Sequence, residues 1–200
     1  MKRIILFALA LLLFMPCDVM AGGGRPQEKS KAQKYAEKKS KDTIRAWTQY
    51  TGFSSMDLEG FAAAAARAKL AEYVEGYVEK VVEECAQQTM TNEFDKKGMA
   101  QKGGDSGQTA ASGFKTVADA LIRNSRVVMS ERYTQKDGTV VCYVAVEVGV
   151  NDIETVVKTS QAVRNALESA GVKVDSPEYE KAVKDTRKEY ASGKLDLSNL

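Results

Sequence analysis

The sequence predicts an α+β fold: an antiparallel sheet of at least three strands, a long helix and a second helix packed on one face, and a C-terminal helix. Three observations predict it. Residues 61–85, FAAAAARAKLAEYVEGYVEKVVEEC, form the longest unbroken helical pattern, and Asp137-Gly138 sits between two β-prone runs, a strong hairpin signal. Residues 151–170 repeat an apolar spacing of three and four.

Taken in order, residues 1–21 read as a targeting segment. Lys2 and Arg3 precede an apolar core over 4–15, and Val19-Met20-Ala21 fits a small-x-small cleavage site. The expected mature chain starts at Gly22, exported to the periplasm or outer membrane of a bacterium. Lipidation at Cys17 is the alternative, although Pro16 before it suits a lipobox poorly. Removing Lys2, Arg3 and Asp18 takes the net charge from +2 to about +1, a balance that does not select nucleic acid. Residues 22–42 are basic and polar, with only Ala32, Tyr35 and Ala36 as a weak apolar stripe. They read as a tether, helical in part, either a solvated linker or, over 25–45, a peripheral contact with anionic membrane.

Residues 43–53 are β-branched and aromatic and form the first strand, with Ile44, Ala46, Thr48 and Tyr50 on one face. Trp47 lies on the other, either as a partner contact or packed under a further helix or terminal segment. The long helix is expected from near Met56 to before Thr91, with Ser54 and Asp57 at capping-box spacing. Its stripe reads Phe61, Ala64, Ala65, Ala68, Ala71, Val74, Val78, Val81, Val82 and Cys85.

Residues 91–113 are polar and glycine-rich and read as a mobile loop. Gly104-Asp105-Ser106-Gly107 within them resembles a protease nucleophile motif, but the chain has no histidine to activate Ser106. Histidine zinc sites fall by the same fact, the cysteines are too few for a thiolate site, and no phosphate-binding or EF-hand loop occurs. No catalytic, cofactor-binding or metal residues are therefore assigned.

Residues 114–123 are a short helix-like or irregular approach to the hairpin. A two-residue turn would put Val127, Met129, Glu131 and Tyr133 on the face of Cys142, Val144, Val146 and Val148, where Glu131 is out of place; a bulge or longer turn would reverse that arm. The second arm, VVCYVAVEVGV, is apolar at nearly every position and is placed as the central strand.

The FAAAAARAKLAEYV stretch and RVVMSERYTQKDGTVVCYVAVEV together resemble the Lpp-twenty-type bacterial outer-membrane lipoproteins, a family related to the N-terminal domain of flagellar assembly protein T. The resemblance spans residues 43–150 and implies a strand, helix and hairpin domain in the cell envelope without known enzymatic activity.

Residues 151–170 read as one further helix, capped by Gly171 and closing a domain over 43–170. In the extension over 171–200, Ser176-Pro177 opens a helix ending near Gly193, with Tyr179, Ala182, Val183, Thr186 and Tyr190 on its stripe. It either docks at home or offers Tyr179 and Tyr190, with Trp47, to a partner. Cys85 and Cys142 both fall on inward faces, as reduced core thiols or as a disulfide. The leading functional expectation is an exported, non-enzymatic envelope module, structural or binding, with an envelope protein or a second copy as partner. The alternative is a carbohydrate-binding protein or hydrolase using unplaced carboxylates.

Overall fold

The computed structural model describes residues 28–94, 106–169 and 171–197. The leader segment, Cys17 and Gly104-Asp105 lie outside them. In chain order the elements are α1 (Lys31–Glu37), β1 (Thr43–Gly52), α2 (Leu58–Phe94), α3 (Ser106–Ile122), β2 (Arg126–Thr134), β3 (Val140–Gly149), α4 (Val150–Thr159), α5 (Gln161–Ser169) and α6 (Pro177–Ser192). The three strands form one antiparallel sheet in the order β1-β3-β2, so the apolar second hairpin arm is the central strand.

One sheet face, carrying Ile44, Ala46, Cys142, Val144, Val146 and Val148, is covered by α2 and α4 and continues into a single core with α3, α5 and α6. Cys85 and Cys142 are both buried there as free thiols. The buried stripe of α2 runs Leu58, Ala62, Ala66, Leu70, Val74, Val78, Val81, Cys85. From Val74 onward it follows the predicted phase; before that it is rotated, and Phe61, Ala64, Ala65 and Ala68 are exposed. Ala62 to Ala66 are chemically identical, so their pattern fixes no phase, and Leu58 sets it instead. The helix also starts later than expected, because Asp57 is its cap: its Oδ1 accepts the Gly60 N–H at 3.0 Å.

Three further readings are corrected. The 91–113 segment is not all loop: α2 continues to Phe94 and α3 begins at Ser106. The 151–170 helix is broken at Ser160, whose extended backbone (φ −78°, ψ 111°) ends α4 and starts α5. Its predicted apolar positions Ile153, Val157, Val163, Ala166 and Leu167 are nonetheless buried, and Gly171 caps α5 at φ 80°. Within residues 22–42 the tether is in part a docked helix. Ser30 Oγ caps α1 by accepting the Gln33 N–H at 3.0 Å, and Ala32 and Ala36 are buried against the second face of the sheet with Ala145, Trp47, Met129 and Tyr143.

The hairpin turn is longer than two residues, with Gln135 N–H bonded to the Thr139 carbonyl at 2.7 Å and Gly138 at φ 84°. The register moves by one residue, pairing Glu131 with Tyr143 and Met129 with Ala145 on the face under α1. A bulge between Val127 and Met129 then returns Val127 to the opposite face. Glu131 thereby finds its place: its Oε2 accepts the Ala32 N–H at 3.1 Å, at the N-terminal turn of α1.

Candidate interaction surface

The sequence-predicted contact residues are not brought together. Tyr179 and Tyr190 are buried in the main core and hold α6 to the domain, which corrects their assignment as partner contacts. The helix forms as expected, with Ser176 Oγ accepting the Tyr179 N–H at 3.2 Å and Gly193 closing it at φ 76°, and it docks at home. Trp47 is half-buried beside α1, its ring 6.4 Å from that of Tyr143 and 6.0 Å from Lys69 Nζ. It packs under the N-terminal segment rather than standing clear of the protein.

Beneath α1 lies a buried carboxylate. Glu147, only 4% exposed, accepts hydrogen bonds from Tyr35 Oη (2.7 Å), Arg45 Nε (3.2 Å) and Arg126 Nε and Nη2 (2.9 and 2.6 Å). Burial opposes its ionisation, but these donors outweigh burial and hold the carboxyl below the ordinary glutamate value. Its hydrogen bonds join β1, β2, β3 and α1, and they make it a structural clamp.

A groove of about 770 Å³ lies between α4, α6 and the lead into β1. Its charged centre is self-satisfied. Arg187 bonds Glu154 Oε1 (3.3 Å), Asn151 Oδ1 (3.0 Å) and the Lys41 carbonyl (3.1 Å), with Asp42 at 3.5 Å. Glu154 and Asp42 are therefore two partners of one guanidinium. Among the described residues no three His, Cys, Asp or Glu side chains cluster as a metal site, and no helix is long and apolar enough to cross a membrane.

The feature that remains open is the corner where β1 passes into α2. Tyr50 (38% exposed), Phe53 (69%), Met56 (38%) and Phe61 (48%) stand out together there, with the Tyr50 and Phe61 rings stacked at 5.2 Å. The local sequence builds it. Gly52 lets the chain fold tightly, since a Cβ there would lie 2.7 Å from Leu58 Cδ2 and 3.1 Å from Met56 Sδ. Met56 N–H then bonds the Phe53 carbonyl at 3.0 Å, and Leu58 is buried as the helix begins. Four large apolar side chains grouped at one exposed corner are characteristic of interaction surfaces. None of the four was assigned as a contact from sequence; the available signal was Phe53 and Met56 flanking a Ser-Ser turn, where polar residues are usual.

Comparisons with protein-family models, with characterised proteins and with solved structures find no match to this chain. The functional reading therefore rests on the residues themselves.

Proposed function

We propose that this chain is an exported, non-enzymatic module of the bacterial cell envelope that works by docking another polypeptide on the Tyr50, Phe53, Met56 and Phe61 corner. The grouped exposure of those side chains is the observation that carries the reading. Export is supported by the charged, apolar and small-x-small order of residues 1–21, and the envelope by the resemblance of residues 43–150 to the Lpp-twenty-type lipoproteins. Lipidation at Cys17 would place the module on a membrane surface; cleavage after Ala21 would leave it in the periplasm. A hydrolase or carbohydrate-binding reading gains no free acid pair from the groove, where Arg187 already engages both Glu154 and Asp42.

A photoreactive phenylalanine analogue at Phe53, installed in the native host, tests this reading. Irradiation should give a discrete polypeptide adduct in the envelope fraction, and none from the same analogue at exposed Lys181 on α6. Absence of any adduct from Phe53, or recovery of the protein in the cytoplasm alone, would count against it.

A further inference from the structure

β1 is an edge strand, bonded to β3 on one side only. The bond from Val150 N–H to the Asp42 carbonyl fixes the phase of the ladder. Even-numbered residues of β1 turn their main-chain groups to β3, while Arg45, Trp47, Gln49 and Thr51 turn theirs outward. At Arg45 the Tyr190 hydroxyl meets that edge. From Trp47 to Thr51 the outward groups have no main-chain partner among the described residues.

The two edges of the sheet are guarded unequally. β2 carries Arg126, Glu131 and Arg132 and a bulge, devices that discourage edge pairing. The stretch 48–52, TQYTG, has no charge, no proline and no bulge, and it runs straight into the exposed aromatic corner. An unguarded edge beside an apolar patch is suited to strand addition.

We propose that the occupant is a second copy of this chain, adding its own β1 antiparallel across a twofold axis at Tyr50 to make a continuous six-stranded sheet. This rests on the docking reading above and names its partner. With the axis there, Gln49 of one copy exchanges main-chain bonds with Thr51 of the other, so that outward groups meet outward groups. Tyr50 then faces Tyr50 of the other copy as the close, non-hydrogen-bonded pair, flanked by both Phe61 rings.

Charge selects a copy of the same chain. Lys69 reaches Trp47 and makes no ion pair among the described residues, while Asp57 and Glu59 lie just past Phe53 at the other end of the exposed edge. Antiparallel docking lays the Phe53 end of one copy beside the Trp47 end of the other, so Lys69 meets Asp57 and Glu59 twice over. Such an interface is isologous and closes after two copies.

Sedimentation velocity on the protein purified from its native host, at concentrations up to roughly 100 µM, should show a dimer. Phe53→Asp, at a side chain the monomer leaves exposed, should weaken it at least about tenfold. Thr51→Pro removes an outward N–H that β3 does not use and should do the same, with circular dichroism unchanged. Lys69→Glu should weaken the dimer and Lys69→Glu with Glu59→Lys should restore it. A monomer throughout, a dimer indifferent to Phe53→Asp and Thr51→Pro, or no rescue by the charge exchange would overturn self-pairing. The crosslinker at Phe53 separates the two readings: an adduct with a different polypeptide alone sinks self-pairing and leaves the docking module standing, whereas no adduct sinks both.

Discussion

The Tyr35 hydroxyl donates a 2.7 Å hydrogen bond to Glu147, tying α1 to the central strand through a carboxylate that two arginines also hold. α1 has seven residues, too few to be a stable helix in water by itself, so its order depends on this attachment and on the small contact of Ala32 and Ala36.

Glu147→Gln should therefore loosen α1 more than the rest of the fold. Losing charge-assisted bonds at a buried acceptor costs about 2 kcal/mol, and amide exchange at Tyr35 and Ala36 should quicken ahead of global exchange. The pH sign follows from the depressed native pKa. Stabilisation by Glu147 is complete above the ordinary value of 4.5 and is lost as pH falls below it through the native value. Wild-type α1 protection should decline over that acid range and the Gln variant should decline less, the remainder coming from Glu37, which the Lys29 hydrogen bond also holds below its ordinary value; identical profiles would remove Glu147 as the responsible group.

Gly52→Ala should destabilise the corner through sterics. Its φ is not in the left-handed region, so the backbone could accept alanine, but the new Cβ would lie 2.7 Å from Leu58 Cδ2. Leu58 is fully buried and cannot yield freely, so a loss of about 1 to 3 kcal/mol in chemical denaturation is expected. Gly138→Ala, by contrast, has open space around the Cβ, and its cost comes from φ 84° alone.

The division between what could be read in the sequence and what could not follows residue chemistry. Strand β3 was legible because a run of Val, Ala and Cys has few alternatives to a central strand, and α6 because Ser176, Pro177 and Gly193 mark its ends. The stripe of α2 was legible from Val74 onward, where valines alternate with glutamates. It was illegible through Ala62 to Ala66, where five identical side chains carry no phase. That ambiguity hid Phe61, and with it the exposed corner. Glu131 read as an error on a buried face because its use is non-local: its partner is the N–H of Ala32, 99 residues away. The same holds for α1, whose stripe is thin until Glu147 and Glu131 of the sheet complete its binding site.

Val78→Asp tests the long helix as the centre of the fold. Val78 is buried at the phase that sequence and structure share. An unpaired carboxylate there costs several kcal/mol against a total stability of roughly 5 to 15. Loss of the cooperative thermal transition is expected. A melting temperature equal to wild type would mean that this helix face is open to water.

The last prediction concerns three buried phenols, Tyr77, Tyr179 and Tyr190. Burial pushes each hydroxyl above its ordinary value of 10.0, Tyr190 to about 12, and Glu154 adds to the effect at Tyr77 and Tyr179. These groups remain neutral in the fold at pH values where the unfolded chain ionises. Their contribution is thus complete below pH 10 and falls as pH rises from 10 toward 12, by about 2 to 3 kcal/mol for Tyr190 alone. Tyrosinate absorbance should therefore rise in two stages, the second coinciding with loss of far-ultraviolet circular dichroism. Tyr77 adds a sharper discriminator, because its hydroxyl is buried without a hydrogen-bond partner among the described residues. Tyr77→Phe removes an unsatisfied polar atom while keeping the ring, so it should hold or raise the melting temperature, by up to about 1 kcal/mol in stability. Tyr190→Phe instead loses the contact with the Arg45 main chain and should lower it at neutral pH. A single tyrosine titration near pH 10 with the fold intact, or a large loss of stability in Tyr77→Phe, would show that α6 does not bury its aromatic face against α2.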